Sequence, residues 1–177
     1  MDVLPYYQIE KKRTIADTEK TSEKNRFPQT HTQKSEQPMV SIHEITAAAY
    51  RLLKADAALD RMCTIYRGAK RPVSAKSPAV TVDACHLERG EGEGMWICSV
   101  VVTAYVRVLS DGEPDYGRIE NIDAQIYTVL CDADLQLTGA KTITIFYGGT
   151  SGITWDHVHS REVFQESTFG VMMHSAS

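Results

Sequence analysis

The chain has no apolar run near the ~20 uninterrupted residues that a membrane-spanning helix needs. Its first residues, MDVLPYYQIEKKR, lack the apolar stretch of a signal peptide, so the expectation is a protein made and kept in the cytoplasm. Cysteine is sparse: Cys63, Cys85, Cys98 and Cys131 are far apart and form no CxxC, which excludes a disulfide framework and the common thiolate metal sites. All four read as small buried hydrophobes in a reducing compartment. There is no cationic surplus either. A net charge of −4 supplies no general hold on nucleic acid, whose phosphates need clustered cations. No GxSxG or other spacing of nucleophile, base and orienting group is present. The acidic residues of Ser110–Asp115 and Asp132–Asp134 flank helix ends, where capping and solubility account for them. The expectation is a protein that is not an enzyme and holds no cofactor.

What is present is a long alternation. In Met95–Leu109, MWICSVVVTAYVRVL, the even positions Trp96, Cys98, Val100, Val102, Ala104, Val106 and Val108 are all apolar, which marks one face of a strand as core. The odd face mixes Met95, Ile97, Val101 and Tyr105 with Ser99, Thr103 and Arg107, a composition suited to meeting another protein chain. Strands usually run about five or six residues, so this one is expected to extend past its own sheet, in the manner of an assembling subunit.

With 177 residues and 42% apolar content, one domain with a real core is expected. Residues 1–38 are rich in Thr, Glu, Lys, Gln and Ser and cannot bury enough to fold alone. They read as a flexible N-terminal arm or extension. The alternative is a strap ordered on neighbouring subunits through Leu4, Tyr6, Tyr7 and Ile9. The acidity belongs to residues 39–177, with twelve Lys or Arg against seventeen Asp or Glu.

In that domain, Ser41 and Glu44 have the form of a capping box, and Ile42, Ile45, Ala49, Leu52 and Leu53 predict a helix over Ile42–Lys54. A short turn at Asp56–Leu59 and an extended piece at Cys63–Arg67 lead into the loop Gly68–Pro78. Ala79–Glu88 is a strand that forms a hairpin with Met95–Leu109 across the turn Arg89–Gly94. After the break SDGEPD, Ile119, Ile122, Ile126, Val129 and Leu130 predict a helix over Tyr116–Cys131. Lys141–Tyr147 alternates until Gly148–Gly149 ends it, and Arg161–Met173 is a final strand with a bulge partway. The order α-β-β-α-β-β predicts an α+β fold, a mainly antiparallel sheet with two helices packed on one face. Burying Ile119, Ile122, Ile126 and Leu130 against Val100, Val102 and Val106 contributes about 1.5–3 kcal/mol per side chain.

Asp156-His157-Val158-His159 is the candidate metal segment, because an extended chain would put both imidazoles on one face. His86, Cys85 or Glu162 are the possible third ligands, and a polar surface loop is the alternative. Gly90-Glu91-Gly92-Glu93-Gly94 is not a phosphate cradle, since two glutamates repel an anion and the flanks are strands. It reads as an acidic hairpin tip. The basic loop with Arg67, Lys70, Arg71 and Lys76 and the acidic turns with Glu91, Glu93, Asp111 and Glu113 allow two readings. They are solvated loops, or they meet between identical subunits in a ring. The candidate interface set is therefore Arg67, Lys70, Arg71, Glu91, Glu93, Ile97, Val101, Tyr105, Arg107, Asp111 and Glu113.

The run Tyr50-Arg51-Leu52-Leu53-Lys54-Ala55-Asp56-Ala57-Ala58-Leu59, then Ile65-Tyr66-Arg67, then Ser77-Pro78-Ala79-Val80-Thr81-Val82, resembles the tail-completion or tail-terminator proteins of long-tailed bacteriophages. The likeness extends over nearly all of Met39–Ser177, without residues 1–38 and without a match for Gly148–Ser160. It implies a non-enzymatic virion component of the tail or neck, assembled in the host cytoplasm: a sixfold ring that caps the tail tube, stops its polymerisation and docks the head. The implied partners are further copies of the chain, the tail tube protein and a head–tail connector or neck protein. DNA would pass through without sequence-specific binding, and no membrane is involved. A net-acidic domain agrees with such passage. A neck stopper or connector of a phage-like particle is the nearest alternative. From other classes come a small metal-dependent enzyme built on the Asp156–His159 segment and a binding module with a groove beside Trp96 and Trp155.

Overall fold

In the computed structural model, which describes residues 40–159 and 161–176, Ser41 begins the first helix as expected. Its hydroxyl accepts from the Glu44 N–H at 3.1 Å, opening α1 (Ile42–Ala55). The reciprocal half of the capping box is not made. The Glu44 carboxylate accepts instead from the Thr138 N–H and ties the helix start to a distant loop. Asp56 ends α1 and caps α2 (Ala57–Met62), its carboxylate accepting from the Leu59 N–H at 2.7 Å, so the expected short turn is a helix. The arm expected over residues 1–38 lies outside the described residues.

The extended piece is a true strand, β1 (Thr64–Arg67), and it runs parallel to β2 (Ala79–Arg89), with Thr64 opposite Ala79. β2 turns into β3 (Met95–Arg107) as an antiparallel hairpin, with His86 as an extra residue where the register shifts between Cys85 and Leu87. Then come α3 (Tyr116–Leu130), β4 (Ala140–Thr150), the short β5 (Thr154–Trp155) and β6 (Glu162–Ser175). Among the described residues these strands form one six-stranded sheet in the order β1-β2-β3-β6-β4, with β5 on the edge of β6. It is antiparallel except for β1, so the α+β expectation holds.

Three expectations are corrected. β3 does not extend past its sheet: β6 pairs with it without a slip from Met95 opposite His174 to Arg107 opposite Glu162, and β2 flanks its other side. The strand is long because its neighbours are equally long, and it stops at Arg107, with Val108 making only a bridge to Pro114. Gly148–Gly149 does not end β4, which continues to Thr150 and absorbs extra residues at two register shifts, one between Thr142 and Thr144 and one between Tyr147 and Gly149. The bulge expected in β6 is thus carried by β4, an outer strand with, among the described residues, no strand on its far side to disturb. The apolar pattern of β6 shifts for a different reason: Ser167 takes a core-face position and its hydroxyl donates to Asp123 of α3.

Both helices lie on one face. Ile45, Ala49 and Leu53 of α1 and Ile119, Ile122, Ile126 and Leu130 of α3 share one buried cluster with Val80, Val82, Cys98, Val100, Val102, Ala104, Val106, Phe169 and Val171. Where β1 stops, Thr46 of α1 takes over the edge of β2, accepting from the Ala84 N–H at 2.9 Å. Cys63 and Cys98 are buried as expected, but Cys131 is half-buried and Cys85 is exposed, because Cys85 pairs with Ser99 on the face that no helix covers among the described residues. Among the described residues no helix is long and apolar enough to cross a membrane.

Candidate functional site

The odd residues of β3 share the helix-free face with alternate residues of its neighbours. Ile97 lies beside Met172, and Val101 lies between Asp83 and Thr168. Ser99 lies beside Gly170, and Phe146 of β4 fills the space over that glycine: a Cβ there would stand 2.2 Å from the Phe146 ring. Ile97, Val101 and Met172 are half-buried and Phe146 is exposed. The expected interface positions Ile97 and Val101 are thus part of a bare, partly apolar surface. Tyr105 is not. Its ring meets Phe164 at 5.7 Å between centroids and the Arg71 guanidinium at 4.6 Å, and burial raises its phenol pKa.

What covers Tyr105 is a cluster of charged side chains at the C-terminal end of β3. Arg71, expected as an outward loop charge, is buried with its side chain only 2% exposed. It donates to Glu162 and stands 3.6 Å from the Asp156 carboxylate. Its Nε and Nη1 are buried without partners, a cost that stacking on Tyr105 and the two carboxylates offset. Asp156 accepts from the Val158 N–H at 2.8 Å, the His159 N–H at 3.2 Å and His159 Nδ1 at 2.9 Å. Burial alone would raise the Asp156 carboxyl pKa, but these bonds outweigh it and hold the group below the usual value. His159 Nε2 reaches the Val73 carbonyl at 3.3 Å, so the imidazole joins the segment after β5 to the loop after β1.

Asp156, His159 and Glu162 each present a ligand atom within 4.8 Å of the others. The two-imidazole arrangement expected of the segment is not formed: it bends after β5, and His157 is exposed and outside the group. Of the possible third ligands, Glu162 joins the group, whereas His86 is paired with Glu88 at 3.0 Å on the bulged end of β2, beside the exposed Cys85. Arg71 already supplies a cation to both carboxylates, so the arrangement suits a salt-bridged clasp holding two loops on the sheet.

The other charged candidates divide between the two ends of the sheet. Arg67 is exposed, and its guanidinium donates to the His43 carbonyl at 2.9 Å in its own subunit. Lys70 is exposed in the loop that follows. Asp111 and Glu113 are exposed after β3, in a turn closed by the Glu113 N–H on the Asp111 carboxylate at 3.1 Å. Arg107 is exposed, with Nε 4.0 Å from Glu162. A cleft of about 620 Å³ opens here, lined by Ala75, Arg107, Val108, Ser110, Val158, His159, Arg161 and Glu162. Glu91 and Glu93 are exposed at the β2–β3 tip, where Gly92 and Gly94 adopt φ of 118° and 71°. Nine paired steps of strand separate the two ends, roughly 30 Å at about 3.3 Å per residue. Sequence reasoning missed Arg161, Phe146 and the pairing of Arg71 with Glu162. Only the proximity of Arg161 to Glu162 in the chain hinted at one of these.

A chain of a solved virion is similar to this fold. It belongs to the virion of a native gene transfer agent particle, with a TM-score of 0.54 and 14% identity over 73% of this chain and 94% of that one. At that identity the likeness is one of fold. No family model matches the chain, and no curated protein matches it.

Proposed function

We propose that the chain is a structural subunit of a phage-like particle, forming a ring that caps the tail tube, stops its growth and offers the surface on which the head docks. The observation that carries this reading is the fold shared with nearly the whole of a gene transfer agent virion chain. The sequence likeness to tail-completion proteins points the same way. So does a long sheet with one face covered by helices and the other left partly apolar and bare, since such a face suits contact with another protein. Termination then has a simple physical form: one side of the ring fits the last tube ring and the other offers no site for a further tube subunit.

Native mass spectrometry of the full chain, followed by electron microscopy with purified tail tubes, tests it. The expected result is a closed hexamer of 19.7 kDa subunits that seats on tube ends. A strict monomer at high concentration that ignores tubes overturns the proposal. Assembly only on a head-connector complex moves the chain to the neck. Stoichiometric zinc or iron, lost on His159→Ala, would favour the metal-enzyme reading instead.

A further inference from the structure

Resting on the ring reading, we infer that the acidic β2–β3 tip of one copy seats in the basic cleft beside Arg107 and Arg161 of the next. The cleft is built to take carboxylates. Among the described residues Arg161 has no ion-pair partner, and Arg107 is 74% exposed with only a 4.0 Å approach to Glu162. The buried Arg71 neutralises one of the two wall carboxylates, Glu162 and Asp156, so Arg107 and Arg161 outnumber the remaining carboxylate by one charge. The mouth therefore keeps a positive excess.

The tip has the complementary character. Glu91 and Glu93 are exposed and have no partner among the described residues, and each is flanked by glycines that leave the turn slim. Cleft and tip lie at opposite ends of the sheet, so one subunit cannot bring them together. Two copies can, head to tail, and a heterologous contact of this kind closes into a ring when its rotation permits. A nucleic acid backbone fits less well. Its continuous phosphates would run on past the exposed Asp111 and Glu113 in the turn after β3, whereas two discrete glutamates need only the two guanidinium groups.

The test uses two full-length variants, Glu91→Lys/Glu93→Lys and Arg107→Glu/Arg161→Glu, followed by sedimentation at low and high salt. All four side chains are exposed, so both variants should keep the wild-type circular dichroism. Each alone should need about tenfold or more protein to assemble than wild type, because like charges then meet. An equimolar mixture should assemble again, since the lysine tip fits the glutamate cleft and the reverse pair is the native one. If each variant assembles as wild type does, the contact is wrong while the ring stands. If wild type itself never assembles, the ring reading fails first. If the arginine variant assembles normally and loses binding to a 30-base-pair duplex, the cleft is a phosphate site and the inference is overturned.

Discussion

The two faces of the sheet are made by the same strands and do different work. On β3, Cys98, Val100, Val102, Ala104 and Val106 are buried beneath α1 and α3, while Ile97, Ser99 and Val101 between them keep part of their surface open. The helix-covered face determines whether the subunit exists. On the opposite face, half-exposed positions such as Val101 tolerate change better than the core, while tight spots such as Gly170 under Phe146 and the Arg71 cluster do not.

The largest contrast should come from one substitution at two adjacent positions. Val102→Lys puts a charge into the sealed core and should cost more than about 4 kcal/mol, most of a typical domain's stability. Val101→Lys lies opposite Asp83 on the bare face and should stay within about 1 kcal/mol. Urea unfolding measures both, and similar losses would break the comparison. Next is Arg71→Ala, which strands Glu162 without its buried cation and should lose about 3 kcal/mol. Arg161→Ala, on the exposed side of the same cluster, should lose less than about 0.5 kcal/mol.

A smaller effect is expected at Gly170→Ala, where the new methyl group collides with the Phe146 ring. About 1–2 kcal/mol should be lost, and the cost should fall by more than half in a Phe146→Ala background. Thiol labelling sharpens the contrast without altering stability. Burial pushes the Cys98 and Cys63 thiols up to about 12, so neither should react before unfolding, while exposed Cys85 should react first. The smallest effect is at low pH. Against burial, hydrogen bonds from the Val158 and His159 N–H groups and the His159 imidazole hold the folded-state Asp156 carboxyl below its ordinary value. Its contribution is therefore present well above the unfolded-state pKa and is lost as pH falls through the lowered one. Asp156→Asn should flatten that part of a stability–pH curve.

Much of the fold was legible. Period-two and helical spacing located the long strands and both main helices, and Ser41 marked a helix start correctly. The lengths and pairings were less so. β3 looked overlong because a strand's length says nothing of its neighbours' length, and β6 does not bulge because its irregular pattern came from Ser167 bonding to α3. Which of the charged and odd-face candidates are exposed was partly legible. Ile97, Val101, Arg107, Glu91 and Glu93 are open as their patterns suggested, but Arg71 and Tyr105 are covered, since both are sealed by residues far away in sequence.

From residue order alone came the sidedness of each element, because side-chain direction follows from backbone period and needs no knowledge of the partner. Tertiary structure decided which charges are spent inside the subunit and which face outward. Arg71 meets Glu162 across 91 positions of chain, and the acidic tip and basic cleft fall at opposite ends only because β2 and β3 pair over their full length. Pairing across such distances depends on how strands stack and loops return, and local sequence carries no record of that geometry.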